Sequence, residues 1–123
     1  MTRFGNDEDG FAWSFDEGTC SMEVKAWGFW SRELALTFAK TVIDACASNR
    51  GTTCIVVDAV GLKPQREQGQ AAFGALMAAL PRLGILHASV RTDSPLTRLQ
   101  LLRLAKEYAV TNLIQFPAPG RAM

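Results

Sequence analysis

The chain has one histidine, His87, and three cysteines that form no Cys-x-x-Cys pair. A lone histidine cannot build a multi-histidine metal site, and its place in an apolar stretch argues against a Ser-His-Asp or Cys-His catalytic group. Cys46 and Cys54 lie in apolar runs, where a free cysteine behaves as a small buried hydrophobic residue. Together with Cys20 they indicate a reducing cytoplasm, and we expect no catalytic residue and no metal site.

Long apolar runs and a strong net charge are also missing. No apolar run approaches the length of a transmembrane helix, so we expect no membrane span. The first ten residues are acidic and contain glycine, which is not the pattern of a signal or transit peptide. The formal net charge of +1 gives no electrostatic basis for binding nucleic acid. The glycines match neither a phosphate-binding loop nor a dinucleotide-binding fingerprint, so we expect no cofactor.

The length of 123 residues suits one domain with a single core. We expect a flexible acidic tail over residues 1–10, an α/β domain over 11–116 and a loose tail over 117–123. Apolar and polar residues alternate on both sides of Asp16 and Gly18, which predicts a β-hairpin with an aromatic face.

Three amphipathic helices and three strands are predicted after the hairpin. Ser31 is placed to cap the first helix, residues 68–80 form the second, and Ser94 followed by Pro95 begins the third. Leucines at 96, 99, 102 and 104 mark the third helix as amphipathic, and apolar runs predict strands at 53–58, 85–90 and 113–116. This alternation implies a single mixed, mostly parallel sheet.

The loop after the strand that ends at Asp58 has the greatest functional interest, because function tends to lie at the carboxyl ends of parallel strands. We expect the loop to expose Lys63, Gln65, Arg66, Glu67 and Gln68 to solvent. It holds no obvious nucleophile, which favours a surface that a partner recognises. Asp58 itself either caps the following turn or acts as a general base or phospho-acceptor.

Two other groups leave two interpretations open. Ser94 has an arginine three residues before it and another four residues after it, so it either caps a helix or helps to hold an anion. Trp27, Phe29 and Trp30 form either a corner of the core or a patch that binds a ligand or a partner.

Three segments together resemble the STAS domain family, whose founding members are bacterial anti-sigma factor antagonists. The strand at 55–58 and the loop up to Gly69 have the family's spacing, and Gly69 opens a helix of small and apolar residues, as it does there. The stretch from Ser94 to Phe116 looks like the family's late helix and final strand. The resemblance covers residues 21–116. It implies a signalling role with a regulatory protein partner, kinase-like or other, docked through this loop and the following helix start.

One departure from the family concerns phosphorylation. The family's loop typically carries a serine or threonine before the glycine, and a kinase partner phosphorylates a hydroxyl there. Arg66, Glu67 and Gln68 occupy the matching positions, so no hydroxyl is present. Glu67 supplies a fixed negative charge where a phosphate would add more, and Arg66 inverts the charge of the family's aspartate. The interaction is therefore expected to be constitutive.

The leading prediction is a non-enzymatic, cytoplasmic interaction module. Its predicted partner-binding residues are Asp58, Lys63, Gln65, Arg66, Glu67, Gln68, Gly69 and Ser94. The SpoIIAA-like proteins, a neighbouring group, are associated with lipid or other apolar ligands, which makes a carrier that uses Trp27, Phe29 and Trp30 the alternative. A homo-oligomer, joined through exposed sheet edges or through the uncovered end of the domain near Phe116, is a third hypothesis. An enzyme would have to use Asp58, Glu67 or Ser94 without a histidine partner, and we expect none.

Overall fold

The computed structural model describes residues 1–49 and 51–117, which form an α/β domain with one mixed sheet. The elements are β1 (Thr2–Gly5), β2 (Gly10–Asp16), β3 (Ser21–Gly28), α1 (Arg32–Ser48), β4 (Cys54–Leu62), α2 (Glu67–Ala79), β5 (His87–Arg91), α3 (Pro95–Glu107) and β6 (Ile114–Gln115). The predicted fold class is confirmed, including the hairpin of β2 and β3 and the three helices. Within this part of the chain, no helix is long and apolar enough to cross a membrane.

The strands lie in the sheet in the same order as along the chain. β1, β2 and β3 are antiparallel neighbours, whereas β3 to β6 run parallel with one helix in each connection. Right-handed connections are the rule for parallel strands, and with this strand order they place all three helices on one face. The other face, called here the open face, exposes Glu23, Lys25, Val56 and Val60.

The core between the helices and the sheet is centred on an aromatic cluster. The ring of Trp30 lies 4.7 Å from that of Phe38 and 5.3 Å from that of Phe73, with which it is stacked. Phe11 of β2 packs edge-on against Phe38 at 5.1 Å. Because burying an aromatic side chain of this size contributes about 2–3 kcal/mol, this cluster holds the hairpin, α1 and α2 together.

The starts of α1 and α3 follow the capping rules that predicted them, whereas the residue before α2, Arg66, makes no side-chain capping bond. The Ser31 hydroxyl accepts a hydrogen bond from the Leu34 amide at 3.2 Å, and α1 begins directly after it. The Ser94 hydroxyl accepts one from the Thr97 amide at 3.2 Å, with Pro95 in the first helical turn. These bonds satisfy amide groups that have no partner inside the helix.

Residues 1–10 were predicted to be a tail, but Thr2–Gly5 form the edge strand β1. The Phe4 ring stacks on that of Phe11 at 4.9 Å, and the Asn6 side chain accepts hydrogen bonds from the Glu8 and Asp9 amides, which closes the turn to β2. One aromatic residue in a short polar strand gives too little periodicity to predict it. The predicted tail at 117–123 lies, apart from residue 117, outside the described residues.

The side of α3 that packs on the core also differs from the prediction. Leu104 is buried as expected, but Leu96 and Leu99 are 55% and 61% exposed. Thr97 is buried instead, and its hydroxyl donates to the Leu62 carbonyl oxygen at 3.2 Å. Leucines occur on several sides of this helix, so their spacing alone does not show which side is buried. The orientation of the helix instead gives the buried Thr97 hydroxyl the acceptor that it needs.

Candidate functional site

The loop of residues 63–66 joins β4 to α2 and lies beside the start of α3. Two contacts fix this neighbourhood. The buried Thr97 hydroxyl of α3 bonds to the last residue of β4, and the side-chain amide of Gln100 in α3 bonds to the backbone of Gln65. The starts of α2 and α3 therefore belong to one surface at the carboxyl end of β4.

Gln65 was predicted to face solvent, but it is only 6% exposed. Its Oε1 accepts a hydrogen bond from the Trp30 amide at 3.0 Å. Its Nε2 donates to the Gly28 carbonyl oxygen at 3.0 Å and to that of Lys63 at 2.7 Å. The side chain thus joins the loop to the end of β3, where buried backbone groups need partners, and it is not available to a docking protein.

The backbone of Gln65 is held by two further glutamines. Its amide donates to Gln100 Oε1 at 2.9 Å, and its carbonyl oxygen accepts from Gln100 Nε2 at 3.1 Å and from Gln70 Nε2 at 2.9 Å. Gln70 and Gln100 were not among the predicted site residues, because glutamine is common on helix surfaces and only the folded chain brings these residues together. The loop is thereby fixed to β3, α2 and α3 at the same time.

Gly69 is also buried, and it packs directly against the Gln65 side chain of the loop. A Cβ atom at this position would lie 2.7 Å from both Cβ and Oε1 of Gln65. Real Cβ atoms do not approach other atoms so closely, so a larger residue would displace the Gln65 side chain. The spacing of Gly69 from Asp58 helped to suggest the family resemblance, but a glycine at this position is explained by its close packing against Gln65. Because it is buried, Gly69 offers a partner little surface.

Four residues of the loop and the start of α2 are exposed as predicted: Lys63, Arg66, Glu67 and Gln68. The Arg66 guanidinium lies over the Phe29 ring, 5.1 Å from its centroid, which restricts its position through a cation–π contact. Glu67 occupies the first turn of α2, where a negative charge interacts favourably with the helix dipole. These side chains project from a backbone that the three glutamines hold in place.

Asp58 and Ser94 do not join this exposed group. β4 continues to Leu62, so Asp58 lies within the strand and not at its end. Its Oδ1 accepts a hydrogen bond from the Val60 amide at 3.1 Å. Of the two interpretations of Asp58, this bond matches the structural one, in which the side chain caps the backbone that follows it. The Ser94 hydroxyl likewise serves as the cap of α3.

The three aromatic residues that were interpreted as either a core corner or a binding patch are separated by the fold. Trp30 is in the core at 1% exposure, and Phe29 is half-buried beneath Arg66. Trp27 lines the open face, where its Nε1 donates to the Asn6 carbonyl oxygen at 2.8 Å. Of the two interpretations, the core corner therefore applies to Trp30, whereas Trp27 lies beside a groove on the open face and Phe29 beside another groove near the start of α1.

The groove beside Trp27 has a volume of about 640 Å³. Trp27 lies between Gly10 and Gly61 of the neighbouring strands, so neither of the two residues paired with it places a side chain beside its ring. The Arg3 guanidinium lies 5.0 Å from the ring centroid, and Lys25 and Asp58 line the groove further along the sheet. The groove is thus wide, open and lined by both charged and apolar groups.

Across residues 1–49 and 51–117, no group of three or more histidine, cysteine or acidic side chains is arranged to hold a metal ion. His87 is half-buried in β5 and is paired in register with Cys54 of β4. Burial raises the pKa of the Cys54 thiol, so this pairing produces no activated thiolate.

Two of the three cysteines, Cys20 and Cys46, are expected to react with iodoacetamide at different rates. Cys20 is exposed, whereas burial raises the pKa of the Cys46 thiol from 9.0 to about 11. At about pH 8, the native protein should gain one adduct rapidly at Cys20, and Cys46 should react only after unfolding in urea. Intact-mass and peptide mass spectrometry would show this, and modification of native Cys46 as fast as Cys20 would contradict its position in the core.

The raised pKa of Cys46 also sets a pH dependence of stability. Between about pH 9 and pH 11 the unfolded chain loses this proton before the folded chain does. The Cys46 thiol therefore makes its full contribution to the free energy of unfolding below the pKa that it has in the unfolded chain. This contribution is lost as the pH rises through the window.

The chain matches no protein-family model, and the search of curated proteins finds no significant match. The function must therefore be argued from the residues and their geometry.

Proposed function

We propose that this protein is a cytoplasmic, non-enzymatic interaction module of the STAS type that docks a regulatory protein. The docking surface consists of the exposed side chains of Lys63, Arg66, Glu67 and Gln68, together with the start of α2. The observation that carries the proposal is the buried Gln65, whose side-chain and backbone hydrogen bonds hold this loop to three neighbouring elements.

A loop fixed in this way suits recognition because little conformational entropy is lost when a partner binds it. The loop presents Lys63, Arg66 and Glu67 as charged groups of both signs. Such groups contribute specificity and association rate more than raw affinity, because they favour a complementary partner and repel others. The loop thus combines a rigid backbone with a distinctive charge pattern.

The residue types of the loop also suggest how the interaction is regulated. Positions 66–68 carry no hydroxyl group, and the carboxylate of Glu67 is permanently present at the first turn of α2. Binding through this surface would therefore be constitutive, and any switch would lie in the partner.

Exchanging the two charges at the start of α2 should abolish capture of the partner. The double variant Arg66→Glu/Glu67→Arg keeps the net charge but reverses the local pattern and removes the contact of Arg66 with Phe29. We expect at least about a tenfold loss of binding, since charge reversal replaces attraction with repulsion. Affinity capture from native lysate, followed by quantitative mass spectrometry, compares this bait with the wild type.

The chain offers a matched control at the start of α1. Arg32 and Glu33 form the same dipeptide in the first turn of a helix, and both are exposed. The variant Arg32→Glu/Glu33→Arg should capture the partner as the wild type does. If the loop variant and the control retain the same proteins, the loop does not form the interface.

A second candidate function, a carrier of a small apolar or lipid-like ligand, is favoured by the groove beside Trp27. Its volume of about 640 Å³ is in the range of ordinary ligand sites. This candidate predicts extra mass on gently purified protein in native mass spectrometry, with loss of that mass in Trp27→Ala. Protein without extra mass that also binds no fatty acid probe would remove it.

A further inference from the structure

A groove between α2 and α3 continues the loop surface along the third helix. Its volume is about 400 Å³, and its lining comprises Gln70, Leu96, Leu99, Gln100, Leu102, Arg103 and Lys106. Leu96 and Leu99 are the most exposed members of its apolar part, at 55% and 61%. Leu102 is half-buried. Together the three leucines form an apolar floor, which no other part of the described chain covers.

The lining side chains follow one face of α3. Positions 96, 99, 103 and 106 are three or four residues apart, which places them in a row along the helix. Single exposed leucines are ordinary on protein surfaces, but adjacent ones in a groove at this spacing match the side-chain spacing of a second helix. The geometry therefore favours a helical occupant.

The charge of the groove selects the chemistry of that occupant. Arg103 and Lys106 are both exposed at one end of the row, and the groove lining contains no acidic side chain. The Arg103 guanidinium donates to Gln70 Oε1 across the groove, which fixes it in position. A helix that carries carboxylates next to its apolar residues would complement these two cations.

Two glutamines make the groove and the loop one continuous surface. Gln70 and Gln100 both line the groove, and both hydrogen-bond to the backbone of Gln65. A partner seated on the exposed loop residues is therefore next to the groove, and the same hydrogen bonds hold both the loop and the groove wall.

We propose that this groove binds an acidic amphipathic helix of the partner protein, with leucine-like residues on Leu96 and Leu99 and carboxylates on Arg103 and Lys106. The proposal rests on the proposed function, since it names the part of the partner that extends beyond the loop. A second copy of this chain is a poorer occupant, because its own α3 would bring the same two cations to the groove.

Two synthetic peptides of about 18 residues test this proposal, a length at which helices begin to be stable. Both carry leucines at the same helical spacing, and the remaining exposed positions are glutamate in one peptide and lysine in the other. Titrated into ¹⁵N-labelled protein, the glutamate peptide should shift the amide signals of α3 and bind at least about tenfold more tightly than the lysine peptide. The preference should weaken at high salt.

The variant Arg103→Glu/Lys106→Glu should reverse this preference in favour of the lysine peptide. Leu96→Ser/Leu99→Ser should remove binding of both peptides, and because these leucines are exposed, its thermal unfolding should match that of the wild type. Failure of the glutamate peptide to bind, equal binding of both peptides, or amide shifts confined to the open face would overturn the proposal. Wild-type dimers that dissociate in the leucine variant would overturn it in favour of a second copy.

The test is separable from that of the loop. Arg66→Glu/Glu67→Arg should leave binding of the glutamate peptide within about twofold, because neither residue lines the groove. A full-length partner that depends on the loop but not on the leucines would support the proposed function and reject the helix. Peptide binding without any loop-dependent partner would support the helix-binding groove and reject the proposed docking loop.

Discussion

Replacing Gln65 with alanine is expected to lower the free energy of unfolding by about 2–4 kcal/mol. The substitution removes the acceptor of the Trp30 amide and the donor to the Gly28 and Lys63 carbonyl oxygens. These groups lie in a buried or half-buried corner, where an unsatisfied polar group bears its full desolvation penalty. The loss would also free the loop, so binding of the partner should weaken together with stability.

Gln68 provides the matched control for this experiment. It is the same residue type three positions further along the chain, but its side chain is exposed. Gln68→Ala should change the free energy of unfolding by no more than about 0.5 kcal/mol. Urea unfolding of the two variants, followed by circular dichroism, measures the difference. Equal effects would show that Gln65 has no special role in fixing the loop.

Replacing Trp30 with alanine is expected to have the largest effect on stability, about 4 kcal/mol. The ring contacts those of Phe38, Phe73 and Phe11, so its removal leaves a cavity where β2, α1 and α2 meet. Its indole N–H also donates to the Gly10 carbonyl oxygen at 3.1 Å. Since a domain of this size is stable by only about 5–15 kcal/mol, the variant would lose a large part of its stability.

Trp27 and a milder substitution provide the comparison for Trp30. Trp30→Phe keeps most of the apolar volume and should cost about half as much as alanine, which keeps the protein folded for measurement. Trp27→Ala, on the open face, should cost at most about 2 kcal/mol, because its side chain is only half-buried. If Trp27→Ala proved as destabilising as Trp30→Ala, the assignment of Trp30 to the centre of the core would be wrong.

The parts of the fold that the sequence predicts are those that depend on neighbouring residues. Ser31 and Ser94 mark helix starts because a capping side chain bonds to an amide only two or three residues away, and Pro95 does so because its fixed φ suits the first helical turn. The hairpin of β2 and β3 is readable because alternation on both sides of Asp16 and Gly18 is a local pattern. The order of strands and helices then restricts the sheet to few arrangements.

The parts that could not be predicted depend on residues far apart in the chain. The hydrogen bonds of Gln65 reach Gly28, Trp30 and Gln100, which are 35 or more residues away. Nothing in the sequence around Gln65 distinguishes it from the exposed Gln68. The orientation of α3 is set in the same way, because the buried Thr97 bonds to a distant carbonyl oxygen of β4.

The candidate site was therefore predicted in part. The exposure of Lys63, Arg66 and Glu67 follows from their charge, which opposes burial without a partner. The burial of Gln65 in the loop and of Gly69 in the first turns of α2 was missed, because amide groups and glycine are common both on surfaces and in interiors. The leucines of α3 could be recognised as exposed only from the packing of that helix.

The most direct test of the central claim is amide hydrogen exchange of the protein with and without the partner that the wild-type bait captures. If the loop surface is the interface, the partner should protect residues 63–70 and, if its helix occupies the groove, residues 96–106 as well. The strands that form the open face, including the amides around Trp27, should exchange at the same rate in both samples. Protection around Trp27 with unchanged exchange at 63–70 would contradict the proposed docking surface and place the functional site on the open face.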